Sequence, residues 1–475
     1  MQPAKGALFS RARLRQEGQV EKMKPVPALS GVKQKLAERV ARRIEDDIVR
    51  RGWPVGEGLG SEAELVVRYG VSRAILREAL GILTYKQVVA MRRGRSGGLV
   101  VHAPAAAVVA GSVATYLHLI GVSVDELYDA RITLEVLAAR LAARRIVEDD
   151  IERLRTVAAT DPIGMPPSLV IAEVSRNPML AILVPTLTRV TGALAGGPRP
   201  DFRLGPSAKS ARGHALRAIA ESVVSGDEAT AARRMRRHLE GERTWLKRAT
   251  ASSEVPAAAP ASGATSAERI ALTVAGAIRR EGHAPGHVVG NEAALRDRLQ
   301  VGRAMFREAV RILEHNGVAQ MRQGPGGGLV VARPDPVRVV QALALYLEWL
   351  AVTPADLLEV RAAVELRVVE LAAARFPGAD PEPLLASLTA APDGGRAEAG
   401  VLVTLAGLAG NRLLALFTAA FGRLSSFRTA EPAHDALARI VDAVVVGDSS
   451  LARNRTARYL QVLAGSTTPG TAVRG

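Results

Sequence analysis

The chain is written twice. Placing Glu38 on Glu268, 230 positions further on, brings the following residues into ungapped register. Gly52 then meets Gly282, Gly56 meets Gly286, and Glu62 meets Glu292. Arg73, Arg77 and Glu78 meet Arg303, Arg307 and Glu308, and Met91 meets Met321. The string GGLVV at 97–101 meets the same string at 327–331, and Tyr116, Arg131 and Glu135 meet Tyr346, Arg361 and Glu365. A solenoid would need a shorter period and several copies. Two copies this long imply two homologous units fused in tandem. Between them RATASSEVPAAAPASGATS (248–266) has the Ala, Pro and Ser content of a linker.

Each copy carries its own local pattern. In VSRAILREAL (71–80), Val71, Ile75, Leu76, Ala79 and Leu80 form an apolar stripe at helical spacing. Arg73 and Arg77, four apart, lie together off that stripe. Alone, this is the pattern of a solvated helix face. Its return as VGRAMFREAV (301–310), with Arg303 and Arg307 in the matching places, argues for a role common to both copies. An amphipathic helix comes first in each unit (LAERVARRIEDDIVRRG; AERIALTVAGAIRREG), then a turn holding Gly and Pro. A short helix follows (SEAELVVRYG; NEAALRDRLQ), with Ser61 or Asn291 as a good N-cap oxygen. After the arginine-bearing helix, VVAMRRGRSGGLVVH and VAQMRQGPGGGLVVA are β-type runs around glycines. Helix, helix, turn, helix and hairpin make a winged helix-turn-helix. The glycines lie between two strands, not between a strand and a helix, which argues against a phosphate-cradling loop.

A chain of 475 residues implies several domains, and 48% hydrophobic content allows packed cores. Aromatics are only 3%, and the Ala, Leu, Val and Arg content favours helices, so the fold class is mainly α. The net charge of +16 suits a polyanionic partner, nucleic acid first, with an anionic membrane surface sharing that property. With no cysteine, disulfides, thiolate metal sites and cysteine nucleophiles are excluded, which fits a reducing compartment. The opening MQPAKGALFSRARLRQEGQ lacks the apolar core of a secretory signal and has the composition of a basic arm. The most apolar span, 399–422, is interrupted at Asn411 and Arg412, short of the ~20 residues that cross a bilayer. One buried helix, or two with a break, is expected there. A soluble cytoplasmic protein follows from these features.

The string GWPVG, SEAEL, YGVSRAILREAL and GRSGGLVV resembles the DNA-binding domain of the GntR family of bacterial transcription regulators. DELYDARITLEVLAARLAA (125–143) and ADLLEVRAAVELRVVELAA (355–373) are similar to the opening helix of the FCD effector-binding domain, which marks the FadR-like subfamily. AEVSRNPML and LAGLAGNRLL resemble an internal motif of that domain. SVVSGDEATAARRMRRHL and AVVVGDSSLARNRTARYL resemble its closing helices. The resemblance implies a flexible basic arm (1–30), a first winged helix-turn-helix (31–104) and a first FCD-like helical domain (105–247). After a linker (248–265) it implies a second winged helix-turn-helix (266–334), a second helical domain (335–466) and a tail (467–475).

The same resemblance assigns roles. The third helix of such a domain enters the major groove, where an arginine presents its two-donor fork to guanine. Arg73, Arg77, Arg303 and Arg307 match the DNA-contacting arginines of the family, and Ser72 caps the helix or bonds a phosphate, with Gly302 in its place in the second unit. The wing tips are Arg93, Gly94 and Arg95 in the first unit and Gln323, Gly324 and Pro325 in the second. An arginine there suits a narrow minor groove, so the second tip should contribute less. Glu78 and Glu308 fit the role of orienting an arginine. No nucleophile recurs beside them, and an enzyme is not expected.

FCD domains commonly hold a divalent metal on one aspartate and three histidines. Those positions fall on Gly164, Ser168, near Leu216, and His238 in the first unit. In the second they fall on Glu398, Leu402, near Leu437, and Tyr459, with His214 and His434 a few residues from the third position. No tight metal site and no cofactor are therefore expected. His238 is expected at the surface or a helix end. Arg131, Arg361 and His238 are candidates for an effector, Arg131 and Arg361 being equally suited to ion pairs with Glu135 and Glu365. The expected protein is a sequence-specific regulator of transcription, a repressor. It would act as a pseudo-dimer within one chain on double-stranded DNA with an imperfect inverted-repeat operator. A small apolar or acyl effector is one reading of the helical domains and a purely structural pairing domain another. Non-specific, architectural DNA binding is the alternative function, and further self-association stays open.

Overall fold

The computed structural model describes residues 36–92, 98–159, 167–194, 206–251, 266–324, 326–333, 335–377, 379–389, 394–424 and 434–466. The basic arm, the greater part of the linker and the tail lie outside these, as does the first wing tip with Arg93, Gly94 and Arg95.

Helix α1 (Leu36–Arg50) turns Val40, Ala41, Ile44 and Ile48 inward. Gly52 and Trp53, both at positive φ, then reverse the chain, and the Trp53 indole N–H donates to the His102 carbonyl at 3.0 Å. Past β1 (Gly58–Gly60), helix α2 (Glu62–Tyr69) opens on a capping box. The Ser61 side chain accepts from the Glu64 N–H, and the Glu64 carboxylate accepts from the Ser61 N–H. Gly70, at φ 63°, ends α2 in the left-handed conformation that the tight turn requires. Helix α3 (Arg73–Tyr85) buries Leu76, Ala79, Leu80 and Leu83 against the first two. Strands β2 (Val89–Arg92) and β3 (Gly98–Val101) make the antiparallel hairpin.

The sheet has a third strand beyond the expected hairpin, with β1 on the far side of β3. Three residues, two of them glycine, carry no alternation to recognise. A Cβ at Gly98 would stand 2.7 Å from the Gly60 carbonyl oxygen, so this pairing needs glycine there.

The same element order occurs over 266–331. It comprises α11 (Ser266–Arg280), β4 (Val288–Gly290), α12 (Glu292–Leu299), α13 (Arg303–His315), β5 (Ala319–Arg322) and β6 (Gly328–Val331). Its sheet has the order β4-β6-β5, and Met321 faces Leu329 as Met91 faces Leu99. Its polar tethers differ. In the first head the Tyr69 hydroxyl donates to Asp47 at 2.6 Å, and half-buried Lys86 pairs with buried Glu45 at 2.6 Å. In register, the second head has Leu299, Ala277, Asn316 and Ala275 at those places. Gly70 is matched by Gln300, held at φ 55°, a conformation costing a non-glycine residue about 1 kcal/mol.

Helices fill the remainder. The first segment comprises α4 (Ala106–Leu119), α5 (Val124–Arg145), α6 (Glu148–Ala159), α7 (Pro167–Val174), α8 (Leu180–Leu194), α9 (Pro206–Val224) and α10 (Glu228–Ala251). The second comprises α14 (Pro336–Trp349), α15 (Pro354–Arg375), α16 (Glu382–Thr389), α17 (Gly394–Leu408), α18 (Arg412–Phe421), α19 (His434–Val446) and α20 (Ser449–Ser466). One hydrophobic core runs through both, from Val109 to Leu463. The apolar span at 399–422 is two helices: Gly410 turns the chain at φ 58° and Asn411 caps α18. No helix among the described residues is long and apolar enough to cross a membrane.

Contacts between the segments are reciprocal. Asn177 caps α8 with its carbonyl oxygen while its Nδ2 donates to the Asp356 carbonyl at 2.9 Å. Asn411 caps α18 in the same way, and its Nδ2 donates to the Glu126 carbonyl at 3.0 Å. Asp356 and Glu126 are themselves 230 apart. Arg412 adds bonds to the Gly121 carbonyl (2.9 Å) and the Glu126 carboxylate (2.6 Å). Arg145 pairs with Glu359 on the other side. The heads cross over as well. Leu345 and Trp349 of α14 pack on the first head's core, and Arg338 donates to Glu38 at 3.0 Å. On the other side α11 packs against α4.

Because each asparagine is buried and uses both ends of its amide, Asn177→Ala and Asn411→Ala should each lower stability by about 1–3 kcal/mol. Urea denaturation of the full chain measures this. Asn→Asp, which keeps the cap and loses the N–H donor, should recover only part. Unchanged midpoints would show that neither crossing bond matters.

Candidate nucleic-acid interface

The arginine pairs stand on exposed faces whose opposite sides build the head cores. Arg73, Arg77 and Glu78 are exposed on α3 above buried Leu76, Ala79 and Leu80. Arg303 and Arg307 are 64% and 56% exposed on α13, above buried Phe306, Ala309 and Val310. Ser72 caps α3, accepting from the Ile75 N–H at 3.4 Å. Gly302 holds the same backbone position for α13 and makes no side-chain cap bond. The amide groups at that helix start therefore keep their affinity for an anion.

The acids that meet these arginines are Glu62 and Glu292, not Glu78 and Glu308. Glu78 and Glu308 follow their arginines directly, and consecutive residues point about 100° apart around a helix. The contact comes from the first turn of the preceding helix. Glu62 accepts from Arg77 Nε at 2.9 Å, and Glu292 accepts from Arg303 Nε at 3.2 Å. Recurrence of Glu62 as Glu292 in the repeat was the available signal.

Of the wing residues, Arg93, Gly94, Arg95 and Pro325 lie outside the described residues. Gln323 and Gly324 are exposed, with Gly324 at φ 100°.

The effector candidates already have partners inside the protein. Arg131 donates to Glu135 at 2.6 and 3.3 Å and to Glu242 at 3.0 Å, and lies over the Tyr128 ring. Arg212 reaches the same Glu242 at 3.0 Å. Contrary to the expectation of a surface or helix-end position, His238 sits within α10 and faces inward. Its side chain is 8% exposed and its Nε2 is 3.4 Å from Glu242. A carboxylate four residues on, Glu242, itself held by Arg131 and Arg212, is the polar partner that lets His238 turn inward. Burial, opposed by that carboxylate, lowers the His238 pKa. In the second segment Arg361 pairs with both Glu365 and Glu398, and Tyr459 packs against them, its phenol pushed up by burial and by Glu398. Glu398, the lone acid at the positions compared with a metal-binding set, is thus engaged by a guanidinium. Gly164 lies outside the described residues. Among the described residues no group of three or more His, Cys, Asp or Glu is placed to hold a metal ion.

The fold and its exposed arginine face define a winged helix-turn-helix protein. The family model for bacterial regulatory proteins of the gntR family matches residues 36–99. An uncharacterised HTH-type transcriptional regulator of Mycobacterium tuberculosis is 32% identical over 216 residues, which are 42% of this chain and 85% of the relative. The Uxu operon regulator of Haemophilus influenzae is 32% identical over 119 residues, 25% of this chain and 42% of the relative. Among solved structures, the GntR protein of Streptococcus agalactiae is matched at 21% identity and a TM-score of 0.31, over 44% of this chain and 99% of that one. The chain belongs to the gntR family and is a DNA-binding transcriptional regulator.

The buried carboxylates predict acid sensitivity. Burial would raise Glu126, but the Arg412 guanidinium and the Ser123 and Arg412 N–H groups outweigh it and hold its pKa at about 2. Burial is likewise outweighed at Glu242 by His238, Arg131 and Arg212, again giving about 2. Both lie below the ordinary value of 4.5, so their stabilisation is complete above that pH and is lost as pH falls toward 2. Burial pushes Glu135 and Glu365 upward, so their ionisation acts in the opposite sense at higher pH. The urea midpoint should fall across the lower window, and Glu126→Gln or Glu242→Gln should flatten that fall. A midpoint constant through the window in the unmodified chain would contradict it.

Proposed function

We propose that the chain is a sequence-specific repressor in which two gntR-type units, joined by the linker at 248–265, act as a pseudo-dimer. Residues 31–104 and 266–334 are the two reading heads, and 105–247 and 335–466 are FCD-like pairing domains of the FadR type. The observation that carries this reading is the arginine pair, exposed over a buried apolar stripe on both α3 and α13. The ungapped repeat, the duplicated strand register and the reciprocal asparagines support the tandem arrangement. So does a relative that fits 85% of its length within 42% of this chain. Fusion fixes the stoichiometry and raises the effective concentration of the second head. An effector of the bundles is apolar or acyl in this reading. A carboxylate reaching Arg131 or Arg361 would have to displace a buried acid, which leaves that acid unpaired at a cost of several kcal/mol.

Selection from a random duplex library with the purified chain tests sequence-specific binding. On the enriched sequence, Arg73→Ala and Arg77→Ala should each cost about 1–3 kcal/mol and relax base preference locally, as should Arg303→Ala and Arg307→Ala at the other half-site. Equal losses on scrambled DNA would instead favour the architectural reading, to which the net charge of +16 lends itself.

The heads differ where they meet DNA: Ser72 against Gly302, Arg93 against Gln323, Arg95 against Pro325. A homodimer mirrors a palindrome. This chain should prefer an imperfect inverted repeat, alike at the bases read by the shared arginines and divergent beneath the wings. Arg93→Gln should weaken one half-site and make the preference more symmetric. Selection of a perfect palindrome, bound by two chains using each head equally, would refute the single-chain arrangement.

A further inference from the structure

We propose that Glu62 and Glu292 are specificity-determining positioning residues, each presetting one reading arginine and setting which arginine leads in its head. This rests on the reading of α3 and α13 as DNA-reading helices.

The two contacts cross the helix-turn-helix turn. Glu62, on the first turn of α2, bonds Arg77 fifteen residues on, and Glu292, on the first turn of α12, bonds Arg303 eleven residues on. Both acids are partly shielded, at 28% and 31% exposure, whereas Arg77 and Arg303 are 71% and 64% exposed. An exposed pair of this kind adds little to stability, so fold stability is a weak reason to hold it at both places. Its geometry has another use. Each carboxylate takes the Nε–H, while the fork that recognises guanine can be formed by the two Nη groups at the guanidinium's far end. A side chain held by its Nε meets a base edge with part of its rotamer entropy already lost. The same carboxylate opposes the alternative use of the arginine. A guanidinium that grips a phosphate through the same Nη groups brings that anion close to its acid, whereas a guanine edge carries no net charge. The acid therefore penalises binding to arbitrary sequence more than binding to the right base.

The pairing also differs between the heads. Glu62 holds Arg77, one turn into α3, whereas Glu292 holds Arg303, the first residue of α13, and stands 3.8 Å from Arg307 Nε. The two heads carry the same arginine pair, yet different members of it are preset. This makes the half-sites unequal independently of the wings.

The test compares the full chain with Glu62→Gln and Glu292→Gln on two probes. These are the unselected random duplex library and the duplex pool that the unmodified chain enriches from it. The isosteric substitutions remove the charge and should leave the melting temperature unchanged. Each should raise affinity for the unselected library several-fold and lower the enriched-to-unselected ratio about tenfold, the scale of one weakened base contact. Sequencing after selection with Glu62→Gln should show relaxed preference at the bases under Arg77 alone. With Arg77 already changed to Gln, Glu62→Gln should no longer move the ratio, and Arg303→Gln should likewise silence Glu292→Gln while Arg307→Gln should not. A clear enriched pool with an unchanged ratio in both variants would overturn the inference and leave the regulator reading intact. So would both affinities shifting by one common factor. Failure of the unmodified chain to enrich any sequence would overturn both.

Discussion

The arrangement depends on two asparagine side chains doing the same thing in opposite directions. A primary amide has an acceptor and a donor at its two ends, and Asn177 and Asn411 use both. The oxygen starts a helix in its own segment, and the nitrogen takes a carbonyl on the first turn of the long helix in the other. Both sit at 1% exposure, where an amide left unpaired would be costly, so each requires the carbonyl of the other segment to stay in place. Arg412 adds the charged counterpart by placing a guanidinium against Glu126 and two carbonyls of the chain before it. The opposite side answers with Arg145 on Glu359. Hydrophobic area supplies adhesion between the helical segments, and these directional bonds set the register.

Much of the architecture was legible because it was written twice. A stripe such as Val71, Ile75, Leu76, Ala79 and Leu80 predicts an amphipathic helix in many contexts, and its repetition at fixed offset gave it meaning. Ser61 and Asn291 were readable as helix starts because the cap is local chemistry. The third strand was not, since three residues at a sheet edge take their conformation from Leu99 and Val100 opposite them. Whether 399–422 formed one helix or two also stayed open. The break is made by Gly410 at φ 58° and the Asn411 cap, and the amide nitrogen of Asn411 is held by Glu126, 285 positions away.

The site divides in the same way. Exposed arginines follow from periodicity, so Arg73, Arg77, Arg303 and Arg307 stood where the stripe required. Their acidic partners did not, because neighbourhood in sequence favoured Glu78 and the turn geometry delivers Glu62. His238 lies inward for a related reason. An Arg-rich helix suggests a solvated surface, but the stripe formed by Met235, His238, Leu239, Glu242 and Leu246 is turned inward, and His238 is buried with it. Its buried charge is balanced locally, with Arg131 and Arg212 set against Glu135 and Glu242. The second segment sets one arginine, Arg361, against Glu365 and Glu398. The two segments satisfy a similar interior differently, while each holds an arginine and a glutamate four residues on.

Crossing of the heads gives this divergence a mechanical setting. The first head rests on α14, at the start of the second helical segment, and the second head's α11 rests on α4, at the start of the first. Helices α4 and α14 pack on each other within the shared core. The separation of α3 and α13 is therefore set by side-chain packing and not by the length of the linker. Packed cores resist continuous deformation, so the two helices should hold a narrow range of spacings. In the proposed reading this fixes the distance between half-sites, and the sequence differences between heads act on top of it. In the same reading a second head without these tethers, with Leu299 and Asn316 where the first has Tyr69 and Lys86, would adapt to its half-site while α4 keeps it in place.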